Sequence, residues 1–422
     1  MGRNRRNKRN IKLNIDEISN KNFIIIACVF VIIILICISV ISIKNHNNKL
    51  EMARQKEILD KQIAAIFESE IPKIEEENKI SQIKSDTIVN ISVTGDILCN
   101  DELIADANKG DSYDFTHMFE NVKEIIDNSD IAIGTMETNF TDNKFSDYIK
   151  CNSPKEFAQA VKKSGIDLVS VAHNHALDYG YEGLKSTNNY LSELGFETVG
   201  VKVEENQARY IVKEIKGIKI TFLAYTYGMS RQSSLSSEQL QYINIFDKEL
   251  VKQDIENAKK ESEYIFVIMH WGDVNKTTVS KEQEDIANFL VENGANAIVG
   301  SHPAVIEPME VVQNSNGENV FIAYSLGNYI SYLGYDLSNL ELILNIQIRK
   351  DGETGKVALD KVTYTPIYVL DNGRKVENRF ELVDIKKIAK QYVYENSEIL
   401  TKKQYNKLID GLEKIEEIIR SR

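Results

Sequence analysis

The sequence predicts a layered α/β domain with mixed sheets, preceded by one transmembrane helix and a stalk, and three observations lead there. Near the N-terminus, Phe23 to Ile43 (FIIIACVFVIIILICISVISI) forms a run of 21 residues without a charge. From Thr87 onward, short apolar runs of strand type end in polar loops and alternate with stretches of helical spacing, as stacked helix and sheet layers require. The composition, 42% apolar and 27% charged over 422 residues with 5 Pro and 21 Gly, is that of an ordinary globular chain. It excludes the collagen-like, low-complexity and disordered classes.

Residues 1–22 form a basic segment expected in the cytoplasm. Its first 21 residues carry +5 of a total charge of −12, so the remainder of the chain carries −17. A body that acidic repels phosphate backbones, and nucleic acid is excluded as a partner. The run 23–43, at about 1.5 Å per residue, is about 31 Å of helix and matches a bilayer's hydrocarbon core. A cleaved secretory signal has a shorter apolar region and ends in small residues of the A-x-A kind, absent here, so the run is expected to be an uncleaved membrane anchor. Arg3, Arg5, Arg6, Lys8, Arg9 and Lys12 precede it while only Lys44 and Lys49 closely follow. The positive-inside bias therefore makes a single-pass protein of the cell membrane, its N-terminus cytoplasmic and its main domain extracellular.

Residues 44–86, rich in Lys, Glu, Gln and Asn, read as a helical stalk with apolar positions too irregular for a heptad. The main domain is expected over 87–370. Its strand runs are IVNISVTGD, IAIGTME, DLVSVAHN, KITFLAYT, YIFVIMHWG, NAIVGSH and NVFIAYSLGN. Ser153-Pro154-Lys155-Glu156 reads as a capping box opening a helix to about Lys163, and 181–194, 248–262 and 281–293 have helical spacing. ELILNIQIRK and GKVALDKVTYTPIYV alternate like antiparallel strands around Asp351-Gly352, which makes the sheet mixed. Residues 371–422 are expected as a C-terminal helical tail. Cys99 and Cys151 are the cysteines beyond the anchor; a bridge between them is set against two free, buried thiols, and the latter is favoured.

Four of the six histidines sit on strand ends: His173 and His175 in VAHNHALDYG, His270 in IMHWGD, His302 in VGSHPAVIEP. Strand ends of an open α/β sheet deliver side chains to one crevice, where ligands bind. Asp96 in TGDILCN and Glu137 in TMETNF hold equivalent places on earlier strands. With the amide of Asn174 these residues make a mixed oxygen and nitrogen ligand set that suits Mn, Zn or Fe better than Ca. Asp178 and Tyr179 either orient the His175 ring or lead the turn into the next helix. Trp271 and Tyr329 either wall the crevice or fill the core beside it. Gly95, Gly272, Gly300 and Gly327 border it, as turn residues or to let backbone approach a ligand.

In the order TGDILCN, TMETNF, VAHNHALDYG, MHWGD, GSHPAVIEP, YSLGNYI, the segment from about Thr87 to Ile330 resembles the CapA family of poly-γ-glutamate capsule biosynthesis proteins, itself similar to calcineurin-like metallophosphoesterases. The resemblance implies an αββα sandwich of metallophosphoesterase type, facing outside. It makes Asp96, Glu137, Asn174, His270 and His302 metal ligands and His175 the imidazole that protonates a leaving group; Asp178, as the residue that would orient that ring, is the other candidate catalytic residue. Where phosphoesterases seat a second metal with Asp-x-His and the last His of Gly-His-x-His, this chain reads Asp96-Ile97-Leu98 and Ala304. One tightly bound divalent transition metal is therefore expected, with His173, Asp101 and Cys99 as possible accessory groups for a second. The implied partners are the membrane and either the anionic polymer poly-γ-glutamate or its synthase subunits. The implied role is a membrane-anchored component of capsule polymer assembly or export. A metal-dependent phosphoesterase of the cell envelope and a non-catalytic scaffold of a synthase complex remain alternatives, so whether the site is catalytic stays open.

Overall fold

The structure, a computed structural model, describes Arg54 and residues 85–422 apart from 148, 149, 205, 206, 336 and 396–398. The chain divides into two units, Met1–Ser69 and Glu70–Arg422, and every element given below belongs to the second. The expected anchor at 23–43 lies outside the described residues, as does nearly all of the stalk. Among the described residues no helix is long and apolar enough to cross a membrane.

Two mixed sheets form the domain. In the first, β1 (Thr87–Ile97), β2 (Ile131–Thr135), β3 (Leu168–Ser170) and β4 (Glu197–Val199) run parallel in that order. On the other side of β1 the chain adds β12 (Leu340–Lys350), β13 (Val357–Asp371) and β14 (Phe380–Asp384), each antiparallel to its neighbour. The short β11 (Asn328–Ile330) pairs parallel with the end of β1. The second sheet has the order β5 (Tyr210–Ile215), β6 (Ile218–Thr226), β7 (Tyr264–His270), β8 (Ala297–Ser301), β10 (Asn319–Ala323), β9 (Met309–Gln313). Its middle strands β6, β7, β8 and β10 are parallel and both edges antiparallel.

The strands read as near-continuous apolar runs because both faces are covered. Helices α1 (Asp101–Ala107), α2 (Glu120–Asp127), α3 (Lys155–Lys163) and α4 (Gly180–Glu193) lie on the first sheet. There Leu103, Val122, Phe157, Val161 and Leu184 pack with Ala132, Val169, Ile343 and Val369. A four-residue α5 (Ser237–Leu240) precedes α6 (Lys248–Glu261) and α7 (Lys281–Asn293), whose Val251, Ile255, Ile286 and Leu290 pack with Leu223, Val267, Met269 and Ile322 of the second sheet. The alternate residues Ile131, Ile133, Phe222, Ala224, Phe266 and Ile268 are equally buried. They lie between the sheets, where β1 touches β8 and β4 touches β6.

Two local expectations change. α3 ends at Lys163 as its sequence indicates, but no side chain caps its start; Ser153 is instead hydrogen-bonded to the Thr138 hydroxyl at 2.6 Å, a buried partner that outcompetes the capping box. Residues 371–422 contribute a strand, β14, before α8 (Ile385–Tyr394) and α9 (Lys402–Ile419). Gly411 of α9 lies where an added Cβ would stand 2.5 Å from Leu340 Cδ2, so the last helix packs hard onto the sheet.

Candidate metal centre

The strand ends carry the site. Between Val93 and Asp96, β1 pairs with Ile133 and Thr135 of β2, three steps against two. This bulge reverses the side-chain alternation and turns the Asp96 carboxylate away from the helix-side core that takes Ile97. Glu137 follows β2, its N–H donating to Ile97 O at 3.1 Å. After β3 the chain makes successive tight turns, Ala176 N to His173 O and Asp178 N to His175 O, that present Asn174 and His175. His270 ends β7, and His302 follows β8 with φ of 102°. A left-handed histidine is strained by about 1–3 kcal/mol, and the bond that holds it is its own N–H to Asp96 Oδ2 at 2.6 Å.

His270 organises the centre. Its Nε2 is 3.0 Å from Asn174 Oδ1 and 3.7 Å from a Glu137 oxygen, while its Nδ1 faces Ser301 Oγ and Asp96 Oδ1, both at 3.3 Å. The Asn174 amide is oriented by its NH2, which donates to Ser230 Oγ at 3.0 Å. Tyr227 OH is 3.3 Å from His302 Nε2. Ligand atoms of Glu137, His270 and His302 all lie within 4.8 Å of one another. Beside them His175 Nδ1 meets Asp178 Oδ2 at 2.8 Å, and Asp178 is further held by the Cys151 N–H at 2.8 Å and by Arg231 at 3.4 Å. Asp178 thus orients the His175 ring.

The residues fit a cation. Asp96 Oδ1, His302 Nδ1 and His173 Nε2 are buried without a hydrogen-bond partner, an expensive state for polar atoms unless something else pairs with them. Burial, then the Asp96 and Asp178 charges, pushes the Glu137 carboxyl well above its usual range; a bound cation inverts that logic. Burial, then the nearby His270 and His175, holds His302 and His173 well below the usual imidazole range. Both rings are therefore neutral at pH 7, the form that ligates. Two donors about 2.1 Å from one ion stand roughly 3.0–3.4 Å apart, and the Asn174–His270 pair meets that spacing.

Asp96, expected as a ligand, has Oδ1 3.3 Å from His270 Nδ1, on the side of the ring away from Asn174 and Glu137, and this oxygen has no hydrogen-bond partner. Of the accessory residues, His173 lies 6.1 Å ring to ring from His270 and accepts the His175 N–H at Nδ1. Asp101 is exposed at the start of α1. Burial raises the buried Cys99 thiol well above its ordinary range, a Ser153 hydrogen bond opposing. Among the described residues the convergent donor groups are Glu137–His270–His302 and Cys151–His175–Asp178, and Cys99 and Asp101 belong to neither. Burial, then the Glu137 and Asp178 charges, keeps the Cys151 thiol protonated. Both thiols are free and buried. Trp271 and Tyr329 fill core: Trp271 donates to Tyr324 O at 2.8 Å and Tyr329 packs on Phe119. Gly272 and Gly327 are turn residues at φ of 91° and 78°, while Gly95 and Gly300 serve close packing of backbone. A Cβ at Gly300 would stand 2.0 Å from Tyr324 O.

The loop after β6 was not legible as part of the site, although Tyr227, Ser230 and Arg231 follow their strand just as the other site residues follow theirs. Nor was Glu307. Burial, opposed by a 2.6 Å hydrogen bond from Gln283, pushes its carboxyl up to about 8. An acid raised from 4.5 to about 8 on folding holds its proton longer in the native state, so its contribution to stability is fully present below pH 4.5 and is lost as pH rises to about 8. Glu307→Gln is expected to flatten this part of the pH profile of denaturant unfolding; an unchanged slope between pH 5 and 8 would remove Glu307 as its source.

The family described as "Bacterial capsule synthesis protein PGA_cap" matches residues 90–333. The PGA biosynthesis protein CapA of Bacillus subtilis (strain 168) is 26% identical over 295 residues, 67% of this chain and 75% of that protein. The capsule biosynthesis protein CapA of Bacillus anthracis is 26% identical over 275 residues, 63% of this chain and 65% of that one. Among solved structures, the calcineurin-like phosphoesterase YfkN of Bacillus subtilis aligns with 74% of this chain and 98% of its own, at 14% identity and a TM-score of 0.42.

Proposed function

Because this chain belongs to the bacterial capsule synthesis protein family PGA_cap, we propose that it serves the assembly or export of a poly-γ-glutamate capsule polymer at the outer face of the cell membrane, through a metallohydrolase-like αββα domain of phosphoesterase type. The anchor is the uncharged run 23–43 with its basic flank, N-terminus inside and main domain outside. The observation that carries the reading is the meeting of Glu137, Asn174, His270 and His302 beside the His175–Asp178 pair.

Glu137, Asn174, His270 and His302 would hold one divalent transition metal, Mn, Zn or Fe. Such an ion supplies Lewis acidity, polarising a carbonyl or phosphoryl oxygen and activating water. Asp96 fixes the His302 backbone by accepting its N–H at Oδ2, and its unpartnered Oδ1 faces His270 Nδ1. Asp178 accepts a hydrogen bond from the His175 Nδ1–H, and the imidazolium form of the ring, protonated at Nε2 as well, would be the one that delivers its Nε2 proton to a leaving group. The ring is buried enough to be oriented and open enough to meet substrate, 21% of its side chain being exposed.

Deletion of the gene is expected to remove surface polyglutamate, the intact gene to restore it, and His175→Ala to leave the surface bare although the protein is made and holds metal. Polymer that persists after deletion refutes the capsule role; full restoration by His175→Ala refutes proton delivery and favours a scaffold.

A further inference from the structure

The proposed substrate is anionic, whereas the pocket is built from the carboxylates of Asp96, Glu137 and Asp178 in a body of high negative charge. Something must offset that field locally. The loop after β6 does so. It touches the site three times in five residues: Tyr227 at His302, Ser230 at Asn174, Arg231 at Asp178. Its backbone is tied in place, with Ser230 N donating to Asn174 O at 2.8 Å and both the N–H and the hydroxyl of Ser234 donating to Arg231 O at 2.8 Å. Arg231 itself sits in the left-handed region at φ 56°, a conformation that L side chains avoid.

The guanidinium is poorly used by the fold. Its contact with Asp178 is 3.4 Å, longer than the 2.7–2.9 Å typical of charged pairs, and 45% of the side chain is exposed while Asp178 is 1% exposed. A guanidinium offers five donors in a planar fork matched to paired oxygens. Tyr227, 39% exposed, adds a hydroxyl on the His302 side of the same mouth.

We propose that Arg231 reads the substrate: its fork binds the oxygen pair of an anionic group beside the reacting bond, a carboxylate of the glutamyl chain or a phosphate, with the Tyr227 hydroxyl as second donor. This rests on the hydrolase-like reading above and supplies its substrate contact.

The test uses the full-length, metal-loaded chain against immobilised poly-γ-glutamate and, separately, inorganic phosphate, over a range of salt. Arg231→Gln is expected to weaken binding roughly tenfold or more and to lower the salt slope by about one charge, with Arg231→Lys recovering part of the affinity. Metal content equal to the parent's shows that the variants are folded. Loss confined to the polymer identifies a carboxylate; loss confined to phosphate identifies a phosphoryl group and defeats the polymer as substrate of this site while Arg231 keeps its role. Unchanged binding of both anions by Arg231→Gln overturns the inference and leaves the capsule role standing. A parent chain that holds neither anion at low salt overturns it as well, whatever the gene deletion shows.

Discussion

Gly95→Ala is expected to unfold the domain or to destabilise it by about 4 kcal/mol or more, the range of severe core overpacking. A Cβ there would stand 1.9 Å from Gly327 O and 2.8 Å from Gly327 C. Neither atom can swing aside, because both are backbone, and Gly327 O accepts the Asp96 N–H at 3.2 Å. Relief would require β11 to leave β1, which breaks the Asp96–Asn328 register on which the site is hung. Gly355→Ala makes the control: φ is 71° but nothing lies within 4 Å of the added atom, so only the left-handed backbone opposes it, at about 1–2 kcal/mol. Urea unfolding of both variants separates the two mechanisms, and a Gly95→Ala domain as stable as its parent would show that the two backbone segments do not pack as described.

His270→Ala is expected to empty the metal centre. The ring stands between Asn174 Oδ1 and Asp96 Oδ1, is 1% exposed, and is within reach of Glu137. Its removal takes one donor from the set and leaves the Asn174 and Asp96 oxygens facing a void. Altering even a residue that only supports a ligand costs about 10–100-fold in metal affinity, and loss of the ligand itself exceeds that. The Asn174 oxygen left buried without its partner adds about 1–3 kcal/mol of destabilisation, so the variant melts earlier but remains folded. Metal content and circular dichroism of parent and variant distinguish lost ligation from lost fold; a folded variant that keeps its metal would dismiss His270 as a ligand.

The sequence displayed the centre because its residues close apolar strand runs, β1, β2 and β3 in the first sheet and β7 and β8 in the second, and the two sheets bring those ends together. Asp96 to His302 spans more than two hundred positions, yet each residue closes an apolar run. What the sequence concealed depends on partners it does not name. The bulge that turns Asp96 arises from the pairing of β1 with β2, and a period-two reading would have sent the carboxylate to the other face. Ser153 has the spelling of a helix cap, but a buried Thr138 hydroxyl claims it. The FELVD strand β14 sits in a charged stretch that reads as helix, because only one of its faces is apolar toward the core and its register comes from β13. Gly95 and Gly300 signal turns or ligand approach by type; that each instead faces a carbonyl of a neighbouring segment is tertiary information. Arg231 carries no local motif at all.

Glu137, Asn174, His270 and His302 are proposed to hold a single metal ion per chain. Elemental analysis of the purified full-length protein, after exhaustive dialysis without chelator, tests it most directly. One tightly held divalent transition metal per chain is the result expected from Glu137, Asn174, His270 and His302. Two per chain, or none, would contradict it.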